Sequence, residues 1–316
     1  MRETRHIVGV GETILDILFR NMQPTAAVHG GSTFNAIISV GRSHVPCSFV
    51  SYTGNDAVGQ ATLRFMQDNG VGTDHVLLLP GHKSAISLAF LGENGDASYL
   101  FYKEPLPSTP DWHLPNTPAT PDWHLPSMQQ DDILLIGSYF AVAPETRPLV
   151  TQMLDRAAAA QSIVYYDLNY RRNHQAQLAE RMPAIEDNLR RSTIVRGSTD
   201  DLYIIYGTRD AREIYRQHTS GLCPLLICTA GAGLITVCTP SLCFDFEAPP
   251  ITDVVSTVGA GDSFNAGFAC ALIWQRLHAA DLLHLARCGW QRLIDTACRF
   301  AGETCRSTEN YIAHKQ

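Results

Sequence analysis

Residues 254–268 read VVSTVGAGDSFNAGF, and the turn at their centre decides how the chain is understood. Gly259 and Gly261 let the backbone bend tightly and come close to a ligand. The apolar run that follows predicts a helix beginning near Asp262, whose first N–H groups lack intrahelical partners and carry the positive end of the helix dipole. Such a turn suits an anion. A transferring phosphoryl group gains most from it, because positioned donors around its spreading charge supply much of the catalysis. Taken alone, the same residues also fit a plain turn in which Asp262 only caps the helix.

Around this turn, strand-like and helix-like segments alternate, the signature of an α/β fold with a mostly parallel sheet and helices on both faces. HIVGVG, CSFVSYTG, DILLIGS, SIVYYDLN, TIVR and LLICTAG read as strands. FNAIISVGR, AVGQATLRFMQDNG, PETRPLVTQMLDRAAAA and the stretches 263–277 and 280–301 read as helices. KSAISLAFLGENGDASYLFYKE breaks the alternation. Its two period-2 runs around Glu93, Asn94 and Gly95 predict a β-hairpin, a candidate lid on the core. Beyond it PDWHLP occurs twice within 105–126, and so much proline predicts a lengthened surface loop. The reading is a single domain over 1–316, with a β-lid from about 12–29 and 84–104.

Composition narrows the function. The chain has 316 residues, 45% hydrophobic and 17% charged, enough for a sizeable core, and no apolar run approaches the length of a membrane span. The first residues read as a strand and not as a signal peptide. A net charge of −7, with only three lysines, offers no basic patch for a nucleic-acid backbone, so a small-molecule ligand is expected, with no nucleic-acid or membrane partner. Nine cysteines outside any C-x-x-C pair predict free buried thiols in a reducing compartment, the cytoplasm. Cys223, Cys228, Cys238 and Cys243 cluster, at spacings unlike common zinc sites.

A second glycine-rich segment, HGGSTFNAIISVGR, puts Gly30 and Gly31 before a helix with Asn35 in its first turns, and Asp16 lies upstream. Asp and Asn together offer acceptors and donors for adjacent sugar hydroxyls. With YYDLNYRRN at 165–173, the two segments resemble the ribokinase-like (PfkB) carbohydrate kinases over nearly the whole chain, through the G-G-x-x-x-N and D-T-x-G-A-G-D signatures in the same order. The resemblance implies a Rossmann-like core with a small β-lid, and transfer of the ATP γ-phosphate to a sugar hydroxyl with magnesium. It makes Asp262 the catalytic base and Gly259, Ala260 and Gly261 the anion hole. It assigns Asp16, Gly30, Gly31, Asn35 and Lys103 to the sugar, and Asp167, Asn169 and Arg171 to the substrate near the phosphates. Ser198, Thr229, Gly231, Gly233 and Thr257, with Gly259 and Gly261, fall on the ATP side, and Asp201 near the metal, through water. GETILDILF, LFYKE and DLNYR resemble fructokinases and 2-keto-3-deoxygluconate kinases more than nucleoside kinases, so fructose leads, with ketodeoxygluconate and ribose behind. Lid strands in this family often pair between subunits, which implies a homodimer.

The chain departs from the family pattern at three places. Ser256 replaces the first Asp of D-T-x-G-A-G-D, which leaves potassium activation open. Ser198 and Asp201 replace the Asn and Glu of N-x-x-E, and TAGAG at 229–233 is one residue tighter than T-x-G-x-x-G. These departures keep a non-catalytic sugar or nucleotide sensor in play as a rival reading; retention of Asp262 argues against it. A P-loop is absent, and GVGETILD lacks the third glycine of a dinucleotide fingerprint.

Overall fold

The computed structural model describes residues 4–91, 97–104, 106 and 125–314. The hairpin turn at 93–95 and all of the duplicated PDWHLP segment except Leu125 and Pro126 lie outside the described residues. The chain opens with β1 (Ile7–Val10), β2 (Ile14–Arg20), β3 (Gln23–Gly30), α1 (Ser32–Arg42), β4 (Cys47–Gly54), α2 (Ala57–Asp68) and β5 (Val76–Leu79). The predicted hairpin follows as β6 (Ile86–Leu91) and β7 (Ala97–Tyr102), paired antiparallel. Alternation resumes with β8 (Ile133–Gly137), α3 (Arg147–Ala159), β9 (Ile163–Asp167), α4 (Leu178–Arg191), β10 (Ile194–Ser198), α5 (Thr199–Tyr206) and α6 (Ala211–Ile214). β11 (Leu225–Thr229), β12 (Leu234–Cys238), β13 (Cys243–Glu247), α7 (Ala260–Trp274), α8 (Ala279–Leu282) and α9 (Arg287–Cys305) complete it.

Two sheets result. The larger has nine strands in the order β13-β12-β11-β10-β9-β8-β1-β4-β5, parallel from β11 to β5, with β12 and β13 antiparallel at one edge. Its central strands IVGV, ILLIG, IVYYD and LLICT are buried at every position, because helices cover both faces. On one face α1, α7 and α9 pack through Phe34, Ile37, Phe268, Trp290 and Ile294; on the other, α3 and α4 pack through Leu149, Met153, Ile185 and Leu189. The smaller sheet has the order β3-β2-β6-β7, with β2 parallel to β6.

The structure corrects two expectations. The helix anticipated over 280–301 is two: α8 stops at Leu282 and α9 starts at Arg287. Asp131 accepts from the Ala279 N–H and contacts the His278 ring, so a distant loop, invisible to periodicity, fixes the orientation of α8. Cys238 and Cys243 form a disulfide instead of remaining free thiols, and Cys288 is free but exposed. They face each other directly in the β12–β13 register with Cα atoms 4.1 Å apart, a proximity set by pairing that spacing alone did not reveal. Among the described residues no helix is long and apolar enough to cross a membrane.

Candidate active site

The site is built where the parallel strands end, the usual location for a ligand in an open α/β sheet. β1 runs out at Val10 toward Glu12, β9 ends at Asp167, β10 at Ser198 and β11 at Thr229. The turn before α7 closes over this edge. Gly259 begins it at φ +77°, in the left-handed region, and a Cβ there would lie 2.0 Å from the Asn310 carbonyl oxygen, so both the conformation and the space require glycine. No side chain caps this end of α7, and Asp262 sits in its first turn.

Asp262 is 8% exposed, and its carboxylate is held from α1. Ser32 Oγ donates to Oδ1 at 2.7 Å and Asn35 Nδ2 donates to Oδ2 at 2.8 Å. Ser32 and Asn35 are one turn apart on α1, so one helix face grips both oxygens. Gly31 is the N-cap of α1, and its φ of +122° and position against the Glu12 carbonyl, 2.3 Å from where a Cβ would be, exclude any side chain. Burial pushes the Asp262 carboxyl above its ordinary range, opposed by the Asn35 and Ser32 hydrogen bonds and by the charges of Arg171 and Arg196. Asn35 Oδ1 is buried without a hydrogen-bond partner among the described residues.

Below the turn lies a cation that sequence reading missed. Arg196, on β10, donates to Asp167 Oδ1 at 3.0 Å and to Thr229 Oγ1 at 2.6 Å, and its guanidinium lies 3.1 Å from where a Cβ of Gly261 would be. Asp167 Oδ2 accepts from Asn265 on α7 at 2.8 Å, and Asn265 Oδ1 accepts from Tyr165 at 3.0 Å. Both oxygens of Asp167 are therefore taken by protein donors, and the network ties β9, β10 and β11 to α7. Asn169, buried, holds a left-handed φ of +34°, while Arg171 is exposed and close enough to act on Asp262.

On the smaller sheet, Asp16 lies mid-strand in β2 and accepts from Ser87 on β6. Burial raises its pKa, Ser87 opposes this, and Glu12 adds to it. Its Oδ2 lies 2.8 Å from where a Cβ of Gly30 would be, so the glycine makes room for the carboxylate. Lys103 pairs with Glu12 and not with Asp16. Toward the other end, Ser198 and Asp201 form a reciprocal capping box on α5, with Asp201 Oδ2 accepting from the Ser198 N–H and Oγ–H. Gly231 has φ +58°, and it, Gly233 and Thr257 are exposed. Ser256 Oγ accepts from the Val258 N–H at 3.2 Å, so the hydroxyl orders this loop through its own short turn.

The structure thus joins Gly30, Gly31, Asn35, Asp16 and the Gly259–Asp262 turn through direct contacts, and Asp167 and Thr229 through Arg196. Ser198 and Asp201 stand apart from that hydrogen-bond network, although Asp201 acts electrostatically on Asp167. Ser32, Ser87, Arg196 and Asn265 each sit singly in a strand or helix, and Glu12 in the link between β1 and β2; none carries a pattern of its own, so all five escaped sequence reading.

The pattern of the pfkB family carbohydrate kinases matches residues 10–301. The chain belongs to this family. As a pfkB carbohydrate kinase it is a phosphotransferase with an alcohol group as acceptor, from a family that uses ATP. Its relatives divide by substrate. A 2-dehydro-3-deoxygluconokinase of Haemophilus influenzae is 24% identical over 274 residues, covering 84% of this chain and 85% of that protein. A fructokinase of Rhizobium leguminosarum bv. trifolii is 28% identical over 276 residues, covering 84% and 79%. Aminoimidazole riboside kinase from Salmonella enterica, solved with aminoimidazole riboside and an ATP analogue, superposes with a TM-score of 0.79 at 21% identity, over 98% of this chain and 97% of that one. The α/β ribokinase-like fold expected from sequence is therefore the fold of this pfkB kinase.

Proposed function

We propose that this protein transfers the γ-phosphoryl group of ATP to a hydroxyl of a small sugar, with fructose the first candidate, and that Asp262 is the general base. The observation that carries the reading is the grip of Ser32 and Asn35 on Asp262, which joins the two signature segments across 227 residues of sequence. A carboxylate offers about four lone-pair sites, so after two donors Asp262 still accepts the O–H of a substrate hydroxyl and takes its proton. The unpartnered Oδ1 of Asn35 suits a neighbouring sugar hydroxyl, and Asp16, with Gly30 and Gly31 leaving room beside it, suits another. Gly259, Ala260 and Gly261 offer backbone N–H groups to the phosphoryl oxygens as charge develops there. Arg196 lies beneath them, with Asp167, Asn169 and Arg171 completing this floor and its mouth.

The nucleotide then runs along Ser198, Thr229, Gly231, Gly233 and Thr257. Among the described residues no three His, Cys, Asp or Glu side chains gather into a metal cage. Magnesium usually keeps several waters and leans on substrate phosphates. Asp201 would hold the ion through water, and the ion would neutralise phosphate charge. The smaller sheet serves as a lid that excludes competing water. Leu15, Ile17 and Phe19 on β2 share a face, by register, with Leu88 and Phe90 on β6 and Leu100 and Tyr102 on β7; this apolar face, opposite Asp16, supports a homodimer joined lid to lid.

The test is ADP release from Mg-ATP with fructose, ribose, ketodeoxygluconate, glucose and adenosine, with and without potassium because Ser256 brings no charge to a monovalent cation. The expected result is turnover on one sugar that Asp262→Asn lowers by ~10²–10⁴ with little change in sugar KM. Silence across the panel with sugar or nucleotide binding intact would overturn catalysis in favour of a sensor.

A further inference from the structure

We propose that Glu12 sets the charge class of the substrate: by pairing with Lys103 it closes the sugar end of the site to carboxylates and admits neutral sugars. The inference rests on the sugar-kinase reading above. The relatives leave the question open, since they include fructokinases, named for a neutral ketose, and deoxygluconokinases, named for sugar acids.

Lys103 is the cation that would draw an acid substrate into this end. It follows β7, and its Nζ lies 6.0 Å from the ring centroid of Phe101, which shares the Asp16 face of the small sheet by register with Ser87. Left free, it would offer an ammonium to a substrate carboxylate. Instead, Glu12 takes it as an ion-pair partner. Glu12 is well placed to do so, because its carbonyl packs against Gly31 at the start of α1, so the backbone that forms the sugar site also places this side chain.

The charges around the pair can be summed, apart from Arg171, which acts on Asp262 toward the phosphoryl turn. Glu12 and Lys103 cancel, and Asp16, whose carboxyl feels Glu12, remains as an acid. His174 feels both members of the pair, and burial lowers its pKa, so it adds little positive charge near neutral pH. Tyr52 faces Glu12 and Glu145 without adding a cation. A carboxylate entering this end would have to displace Glu12 from Lys103 and then face two acids, and like charges brought together at a binding surface repel. A neutral polyol meets only donors and acceptors. The pair is partly exposed, with 43% of the Lys103 side chain and 30% of the Glu12 side chain accessible, so the discrimination is graded and can be altered without disturbing the core.

The experiment measures kcat/KM for fructose and for 2-keto-3-deoxygluconate in the wild type, Glu12→Gln, Glu12→Asp and the double variant Glu12→Gln/Lys103→Met. The wild type should favour the neutral sugar. Glu12→Gln keeps the shape, frees Lys103, and should raise the acid-to-neutral ratio about tenfold or more. Glu12→Asp should keep the wild-type ratio, and loss of Lys103 in the double variant should cancel the gain. A ratio unchanged in Glu12→Gln, or a wild type that already prefers the acid, would overturn the role of Glu12 while leaving the kinase reading intact. Absence of turnover in every variant on these two sugars and on ribose, glucose and adenosine as well would overturn the kinase reading, and this inference with it.

Discussion

Asp262 takes its character from two donors on a different helix. Ser32 and Asn35 both favour its charged form, while burial favours the neutral one. A base acts only when ionised. Asn35→Ala removes one donor, so the carboxyl should hold its proton to higher pH and the acid limb of the kcat profile should move upward in pH. The expected loss is about tenfold at the acid end and less than about threefold near pH 8, measured as kcat across pH at saturating substrate. A uniform loss at every pH would mean that Asn35 only positions substrate. At this scale the sequence was legible where residues recur in a signature, as at Gly30, Gly31, Asn35 and the Gly259–Asp262 turn. Arg196 was not legible: it reads as one basic residue in a strand, and only the parallel pairing of β9, β10 and β11 brings Asp167 and Thr229 to its guanidinium.

Elements matter through how they begin and end. The turn before α7 depends on Gly259, where a methyl would both strain the left-handed backbone and collide with the Asn310 carbonyl. Gly259→Ala should lower stability by about 2 kcal/mol or more and reduce kcat further than the loss of folded protein explains. Thermal unfolding and turnover on the same preparation separate the two effects; a variant with wild-type Tm and kcat would contradict this account of the turn. α5 shows a different use of an end. Its capping box ties Ser198 to Asp201, so the serine that replaces the family asparagine holds the carboxylate in place. The i, i+3 spacing of Ser198 and Asp201 in S-T-D-D fits that box. The Cys238–Cys243 pairing escaped because strand register decides it, and the orientation of α8 because a contact from Asp131 does.

Across the whole molecule, the smaller sheet leaves large apolar side chains open to water. Leu100 and Tyr102 are 54% and 56% exposed, on the face shared with Leu88 and Phe90. Sedimentation should give twice the 34.8 kDa of one chain, and Leu88→Glu combined with Leu100→Glu should return it to one. A wild type that sediments as a single chain at micromolar concentration would refute the lid-to-lid pairing. The sequence by itself determined the α/β alternation, the hairpin and the two glycine-rich turns, because each is a local property: apolar periodicity, turn chemistry and residues that tolerate positive φ. Tertiary structure alone decided that α1 grips Asp262, that Arg196 lies beneath Gly261 and that Glu12 claims Lys103. Those contacts join segments tens to hundreds of residues apart, and their energy exists only once strand order and register have brought the side chains within hydrogen-bond distance.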